Sequence, residues 1–353
     1  MGPPEKAGYE HQSIVLAEGF EELGIQTLCN VNLWQKTINE NDFLIKKVED
    51  TSIYKDCDVV IFSSNIYSYQ KQDLLPKELF TKVRNYKLVF IDSSDGLITP
   101  GLNVEIQENV DIVLKSHYTK ANSFPGNFKP WQFGISNRII NAVKPFPFLT
   151  REKKIMVNFR VKHNLRDVVQ KEILPIIEEK FALDTTTDSL NDVENISATD
   201  LLYWEQTGRR HYPTYYNRLA RNMACASFGG ELIKVYNHNN SNYSVNILNE
   251  LRKIISGKRY SIYQFDSWRF WEALVAGCCT FHVDFNKFGF VLPVNPVNQK
   301  HYFGSDIFNP FQTKKFMKHD YSYFEDISSS GREWVLDNYS PKKVAERFLK
   351  FFY

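Results

Sequence analysis

KRYSIYQFDSWRFWEALVAGCCTFHVD, residues 258–284, sets the terms for the rest of the chain. Tyr260, Ile262, Tyr263 and Phe265 make an apolar lead-in. Asp266 or Ser267 can open a helix, Gly277 can close it, and Cys279–Val283 reads as a buried strand ending at Asp284. Asp or Ser at a helix start accepts a hydrogen bond from an orphan backbone N–H, and glycine tolerates the positive φ at which helices end. Trp268, Trp271 and Val275 recur at helical spacing and are expected to face the core, while Arg269 and Glu272, three apart, project on one side. The order strand, turn, helix, strand puts a guanidinium and a carboxylate near the positive end of a helix, at the carboxyl end of a strand. A diphosphate needs cations and N–H donors there, and ribose hydroxyls need a carboxylate acceptor. The competing reading is an intrahelical ion pair on a solvated face, contributing about 0.2–0.5 kcal/mol.

Arg269-x-x-Glu272-Ala273, then Ala276-Gly277-Cys278 and an apolar strand, resembles the donor-site helix of nucleotide-sugar glycosyltransferases of the GT-B fold, most nearly the exostosin-like and family-1-like branches. The resemblance is close over about thirty residues and loose over the C-terminal half. It implies two Rossmann-like α/β domains facing a cleft, with a C-terminal helix returning to the N-terminal domain: 1–148 for the acceptor, 149–335 for the donor, 336–353 bridging. It further implies that Arg269 meets the diphosphate, Glu272 holds ribose, and Asp266, Ser267, Tyr263 and Gln264 border the nucleotide. In retaining relatives a glutamate commonly stands eight residues before the ribose-binding one. Here that position is Gln264, which favours inversion.

The chain has 353 residues, more than one core usually serves, so two domains are expected. A net charge of +2 demands no nucleic-acid partner. No apolar run approaches the ~18 residues of a membrane span. The five cysteines (29, 57, 225, 278 and 279) have neither CxxC spacing nor a paired framework, so reduced thiols are expected, and the polar start MGPPEKAGYEHQ is no secretory signal. Asn195, Asn239 and Asn242 head glycosylation triplets of the kind an Asn-rich chain produces by chance. A cytoplasmic location is expected.

In chain order, a loop carrying Gly2, Pro3, Pro4 and Gly8 precedes a helix over 9–23, and 25–30 reads as a strand. The opening resembles the glycine-bearing turn and helix that follow the first GT-B strand, with that strand missing. Gly8, Glu10 and His11 would then touch the acceptor; Glu10 could equally be an exposed helix start with a favourable dipole interaction. Short apolar runs at 58–63, 87–92 and 110–115 have the pattern of strands covered on both faces, with helical character at 71–86 between the first two. Ligands in such sheets bind beyond the carboxyl ends of the strands. Asp95, in the turn after the second run, is the leading candidate for the base that takes the acceptor's proton, and His117, after the third, is the second; ordinary turn chemistry accounts for either.

The prolines of 121–150 disfavour long regular structure, and Gly134, Ser136 and Arg138 either line the cleft floor or pack the linker. The chain is expected to cross between domains near 145–153. A strand at 154–160 then runs into a loop bearing Arg160, Lys162 and His163, with Arg166 nearby, and a helix over 165–181. The resemblance assigns this loop, Arg160 foremost, to the donor pyrophosphate, although the family's usual glycine is absent. Residues 182–200 read as a surface excursion, a helix starts at Thr214, 224–236 is an apolar segment interrupted by Gly229-Gly230, and 245–255 is a helix. Ser340-Pro341 opens a last helix with a stripe of Val344, Phe348 and Phe351.

The function expected is transfer of a sugar from a nucleoside-diphosphate sugar, with UDP the first choice, to a glycan or other hydroxyl acceptor. No cofactor and no metal are implied, since Asp56-Cys57-Asp58 has the letters of a metal motif but enters a strand rather than ending one. A GT-B-shaped epimerase or phosphorylase, or a silent sugar-binding scaffold, remains open.

Overall fold

The structure is a computed structural model that describes residues 10–63, 77–94, 108–120, 123–159, 164–186, 196–209, 213–234 and 260–353. Helix α1 (His11–Glu22) leads to a hairpin of β1 (Leu33–Gln35) and β2 (Phe43–Ile45), followed by β3 (Val59–Ser63), β4 (Lys87–Asp92), β5 (Ile112–Lys115) and β6 (Phe128–Pro130). The last four form one sheet in that order, every pair parallel. Parallel strands are buried on both faces, which is why they read as unbroken apolar runs; Leu88, Val89 and Phe90 lose all contact with water.

Two expectations fail in this half. Residues 25–30 form no strand; only Cys29 bridges Lys47, and half of the alternating side chains stay exposed because no sheet covers them. The helical character expected over 71–86 is not met in its described part, 77–86, which holds only the 3-10 turn Lys77–Phe80; 71–76 lie outside the described residues.

After α2 (Asn137–Ala142) the chain enters the second sheet through β7 (Glu152–Met156). Helix α3 follows as Asn164–Val168, a π segment Val169–Ile173, and Leu174–Glu178. Pro175 explains the widened turn: it has no N–H to donate and its ring crowds the preceding turn. Next come β8 (Ala182–Asp184), α4 (Ala198–Gln206), α5 (Pro213–Arg221), β9 (Asn222–Ala226), the hairpin strands β10 (Glu231–Lys234) and β11 (Tyr260–Tyr263), α6 (Trp268–Val275), β12 (Cys279–Val283) and β13 (Phe303–Ser305). Helices α7 (Phe311–Phe316), α8 (Tyr321–Tyr339) and α9 (Pro341–Leu349) complete it. The stretch 182–200, expected as a surface excursion, supplies edge strand β8 and the start of α4 at its described ends; 187–195 lie outside the described residues. Its acidic character has a use in Asp184, whose carboxylate accepts from Thr186, Arg218 and Asn222. The helix expected at 245–255 lies outside the described residues.

The second sheet runs β8-β7-β9-β12-β13, all parallel. Counted along the chain this order is second, first, third, fourth, fifth, so the winding reverses between β7 and β9. At such a switch point the flanking connections leave on opposite faces and open a crevice beyond the carboxyl ends.

Helix α6 is anchored at its far end by a Schellman motif. Gly277 sits at φ 62°, its N–H reaching the Leu274 carbonyl, and Cys278 N–H reaches Ala273. The remaining carbonyls are met from outside: Arg332 donates to Val275, and Arg151 and Ser328 donate to Gly277.

The last helix, α9, returns to the first half and lies on α1, with Phe348 edge-on to Phe20 at 5.5 Å. The contact is close because residue 19 is glycine; a Cβ there would lie 2.1 Å from the Pro341 carbonyl oxygen. Gly19→Ala is therefore expected to lower stability by about 1–3 kcal/mol in urea unfolding. Gly126→Ala, which points into open space, should stay within about 0.5 kcal/mol of the parent.

Candidate active site

Three elements converge at the switch point. The loop after β9 carries Ser227, whose hydroxyl donates to the Arg269 carbonyl at 3.1 Å, and Gly229, where a Cβ would come within 3.2 Å of the Phe265 carbonyl and 3.3 Å of Ser267 Cβ. The first turn of α3 joins through Arg166 Nε, which donates to the Phe228 carbonyl at 3.0 Å. The third element is the start of α6. The sequence shows the Gly-Gly pair but not its purpose, which is to let two backbones approach.

The first half presents its own carboxyl edge to this point. Ser63, ending β3, donates to Glu10 Oε1 at 3.1 Å, and Gln12 of α1 donates to Ser116, just after β5, at 2.6 Å. His11 packs against Trp268 with ring centroids 4.1 Å apart and the rings tilted by 42°, and its Nε2 lies 3.1 Å from the Gly134 carbonyl. Burial holds the His11 imidazole down at about 3, so the ring is neutral, donating to Gly134 and keeping Nδ1 as an acceptor. His11, Trp34, Ser136, Arg138 and Trp268 line a small pocket where the two halves meet.

The turn before α6 departs from the capping expected of it. Ser267 has the extended backbone of an N-cap (φ −149°, ψ 148°), but its side chain accepts no cap hydrogen bond. Asp266 does not cap either. Its Oδ2 accepts from Phe133 N–H at 2.8 Å, its Oδ1 accepts from the Trp271 indole at 2.5 Å, and its own N–H donates to His117 Nδ1 at 3.2 Å. Burial pushes the Asp266 carboxyl up to about 6, against the pull of His117 and the donors around it. His117 and Gln264 sit at φ 54° and 57°, a left-handed backbone that costs non-glycine residues about 1–2 kcal/mol each and collects at functional sites.

Glu272 overturns the solvated-face reading of the Arg269 pair: it is fully buried between α5 and α6. Oε2 accepts from Tyr215 at 2.8 Å and Oε1 from Tyr216 at 3.4 Å. Burial pushes its carboxyl pKa up, and the two hydroxyls, Arg138 and Arg269 pull it back. Arg138 donates to Tyr216 at 2.8 Å and lies over the Trp34 ring. Arg269 itself is half-buried on the first turn of α6. Tyr263 pairs through its backbone with Glu231. Gly8, Asp95 and Arg160 lie outside the described residues. The sequence reading missed Phe133 and the two tyrosines, since a backbone N–H and two adjacent tyrosines carry no chemical signature in a string of letters.

Two opposed α/β sheets whose carboxyl edges face one another across a cleft, with a closing helix carried back to the first, define the GT-B fold. An alpha-glucosyltransferase in complex with UDP matches with a TM-score of 0.53 over 98% of this chain and 96% of that one, at 9% identity. An alpha-glucosyltransferase in complex with UDP-glucose and DNA containing an abasic site gives 0.52 over 99% and 96%, at 8% identity. TarM gives 0.43 over 83% of this chain at 10% identity, and the chain spans only 54% of TarM. At these identities the likeness is one of fold. No family model and no curated protein sequence matches the chain. No described helix is long and apolar enough to cross a membrane. Among the described residues no group of three or more His, Cys, Asp or Glu is placed to hold a metal ion.

Glu18 of α1 gives a pH test of how α1 and α2 are held together within the first half. Its carboxylate accepts from Asn137 N–H at 2.8 Å and is raised by burial from 4.5 to about 7. A raised acid stabilises the fold fully below its unfolded value and loses that contribution as pH climbs through the folded one. Glu18→Gln keeps an acceptor for Asn137 and removes the buried charge. It should match the parent near pH 4 and exceed it at pH 8, by up to about 3 kcal/mol, in urea titrations at the two pH values.

Proposed function

We propose that this protein is a glycosyltransferase that moves a sugar from a nucleoside-diphosphate sugar, UDP-linked in the first instance, to a glycan or other hydroxyl acceptor. The observation that carries the reading is the start of α6: a helix N-terminus with Arg269 on its first turn, at the switch point of the second sheet, against the carboxyl edge of the first. Residues 1–148 would serve the acceptor, 149–335 the donor, and 336–353 bridge them.

In this reading the N–H groups of α6 and the Arg269 guanidinium offset the charge that grows on the leaving diphosphate. Arg166, on the first turn of the helix after β7, adds a cation, and Arg160, six positions earlier in the sequence, is the other candidate for the pyrophosphate. Glu272 reaches ribose hydroxyls only if Tyr215 and Tyr216 give up their bonds to it; otherwise it holds α5 against α6. Because Nδ1 of His117 accepts a backbone N–H, its ring proton is on Nε2, which makes it a donor toward the sugar rather than a base. The proton of the acceptor hydroxyl then falls to Asp95, three residues beyond β4, with Glu10 and His11 facing the acceptor. Transfer proceeds with inversion and without a metal; the neutral Gln264 at the position of the retaining glutamate supports the first point.

The like-folded enzymes solved with DNA make hydroxyl-bearing nucleic acid worth testing beside glycans. Calorimetric titration with UDP, then a screen of UDP-sugars for release of UDP with and without acceptors, with and without chelator, tests the proposal. Interconversion of the sugar alone would indicate an epimerase, and turnover dependent on inorganic phosphate a phosphorylase. Proton NMR of the product's anomeric centre settles the stereochemistry. Arg269→Ala is expected to weaken UDP binding about 10- to 100-fold with an unchanged unfolding midpoint. Unaltered affinity would remove Arg269 from the site.

A further inference from the structure

Asp266 makes more bonds between the two halves than any role in capping or nucleotide contact requires. Its carboxylate is 6% exposed and takes two N–H donors on two different oxygens, one from Phe133 in the first half and one from Trp271 in α6. Its backbone N–H donates to His117, again in the first half. The carboxylate therefore fixes the turn at both ends, and the fixed turn aims its amide at one nitrogen of one imidazole. A backbone N–H can only donate, so His117 Nδ1 must be the bare nitrogen. Phe133 and Phe265 pack edge-on against the same ring, at 6.1 and 5.7 Å, and limit its rotation.

We infer that Asp266 is the positioning residue of the cleft. It ties the two halves together at the start of α6 and sets the tautomer of His117, so that the imidazole presents an N–H to the bound donor. The role at the donor rests on the nucleotide-sugar reading above; the tautomer does not. Only a carboxylate fits. An asparagine offers one oxygen and one NH2, so either Phe133 N–H or the Trp271 indole would face another donor. The turn would then shift and the amide would lose its line to His117.

The experiment uses the full chain labelled with 15N at histidine. In the parent protein, two-bond ring correlations should show His117 with a bare Nδ1 and a protonated Nε2. In Asp266→Asn the same signals should average toward a mixture of tautomers, with affinity for a UDP-sugar reduced about tenfold in titration, while buried His282 on β12 keeps its pattern and reports an intact second sheet. An unchanged His117 pattern in the variant overturns the inference. So does a proton on Nδ1 in the parent, a result that needs no variant and holds even if Asp266→Asn does not fold. If the parent fails to bind UDP or any UDP-sugar, the nucleotide-sugar reading falls, and the tautomer readout still decides whether Asp266 positions His117.

Discussion

A helix with both ends inside a protein must have its orphan N–H and C=O groups met by protein, because water cannot reach them. That constraint organises this molecule. At the carboxyl end of α6 the Schellman turn at Gly277, Arg151, Arg332 and Ser328 deal with the carbonyls, and the two guanidinium groups also suit the negative pole of the helix. At the amino end the side chains that could cap are turned elsewhere, Asp266 to its neighbours and Ser267 to none, so the positive pole keeps its donors directed at the cleft. The asymmetry between a sealed tail and an uncapped head makes α6 suited to meet an anion.

Much of this was legible in the letters. Continuous apolar runs gave β3, β4 and β5, the glycine after Ala276 gave the end of α6, and Ser340-Pro341 gave the start of α9, because each rests on local backbone chemistry that does not depend on distant partners. What failed was set by partners far along the chain. Residues 25–30 have strand composition and no neighbouring strand to pair with. Strand β8 is three residues long in a polar context and exists because β7 offers it an edge. In the site, Arg269 and Glu272 were found by spacing, yet spacing could not say that Glu272 turns toward α5, since the two tyrosines that receive it lie more than fifty residues earlier. Phe133 contributes only its backbone N–H, which every residue except proline possesses.

The buried polar groups are distributed unevenly. Asp92 and Lys115, at the ends of β4 and β5, form a pair at 2.7 Å with neither side chain reaching water. Asp266, Glu272 and Glu18 are carboxyls raised by burial, each held by donors from another element. Apolar side chains would fill such places at lower electrostatic cost. Of these buried acids, Asp266 is the one whose carboxylate bonds across the seam between the halves, through Phe133 N–H, and it gives that seam a defined geometry, since hydrogen bonds are directional and hydrophobic contact is not.

The packing of α9 on α1 bears on how the molecule is made. The glycine face of the first helix, with Phe20, is covered by a segment more than three hundred residues further along the chain, so during synthesis the opening half carries a bare apolar flank until that segment has been made. Such a delay gives chaperones a substrate and leaves the shelter of the first helix to a late event in synthesis.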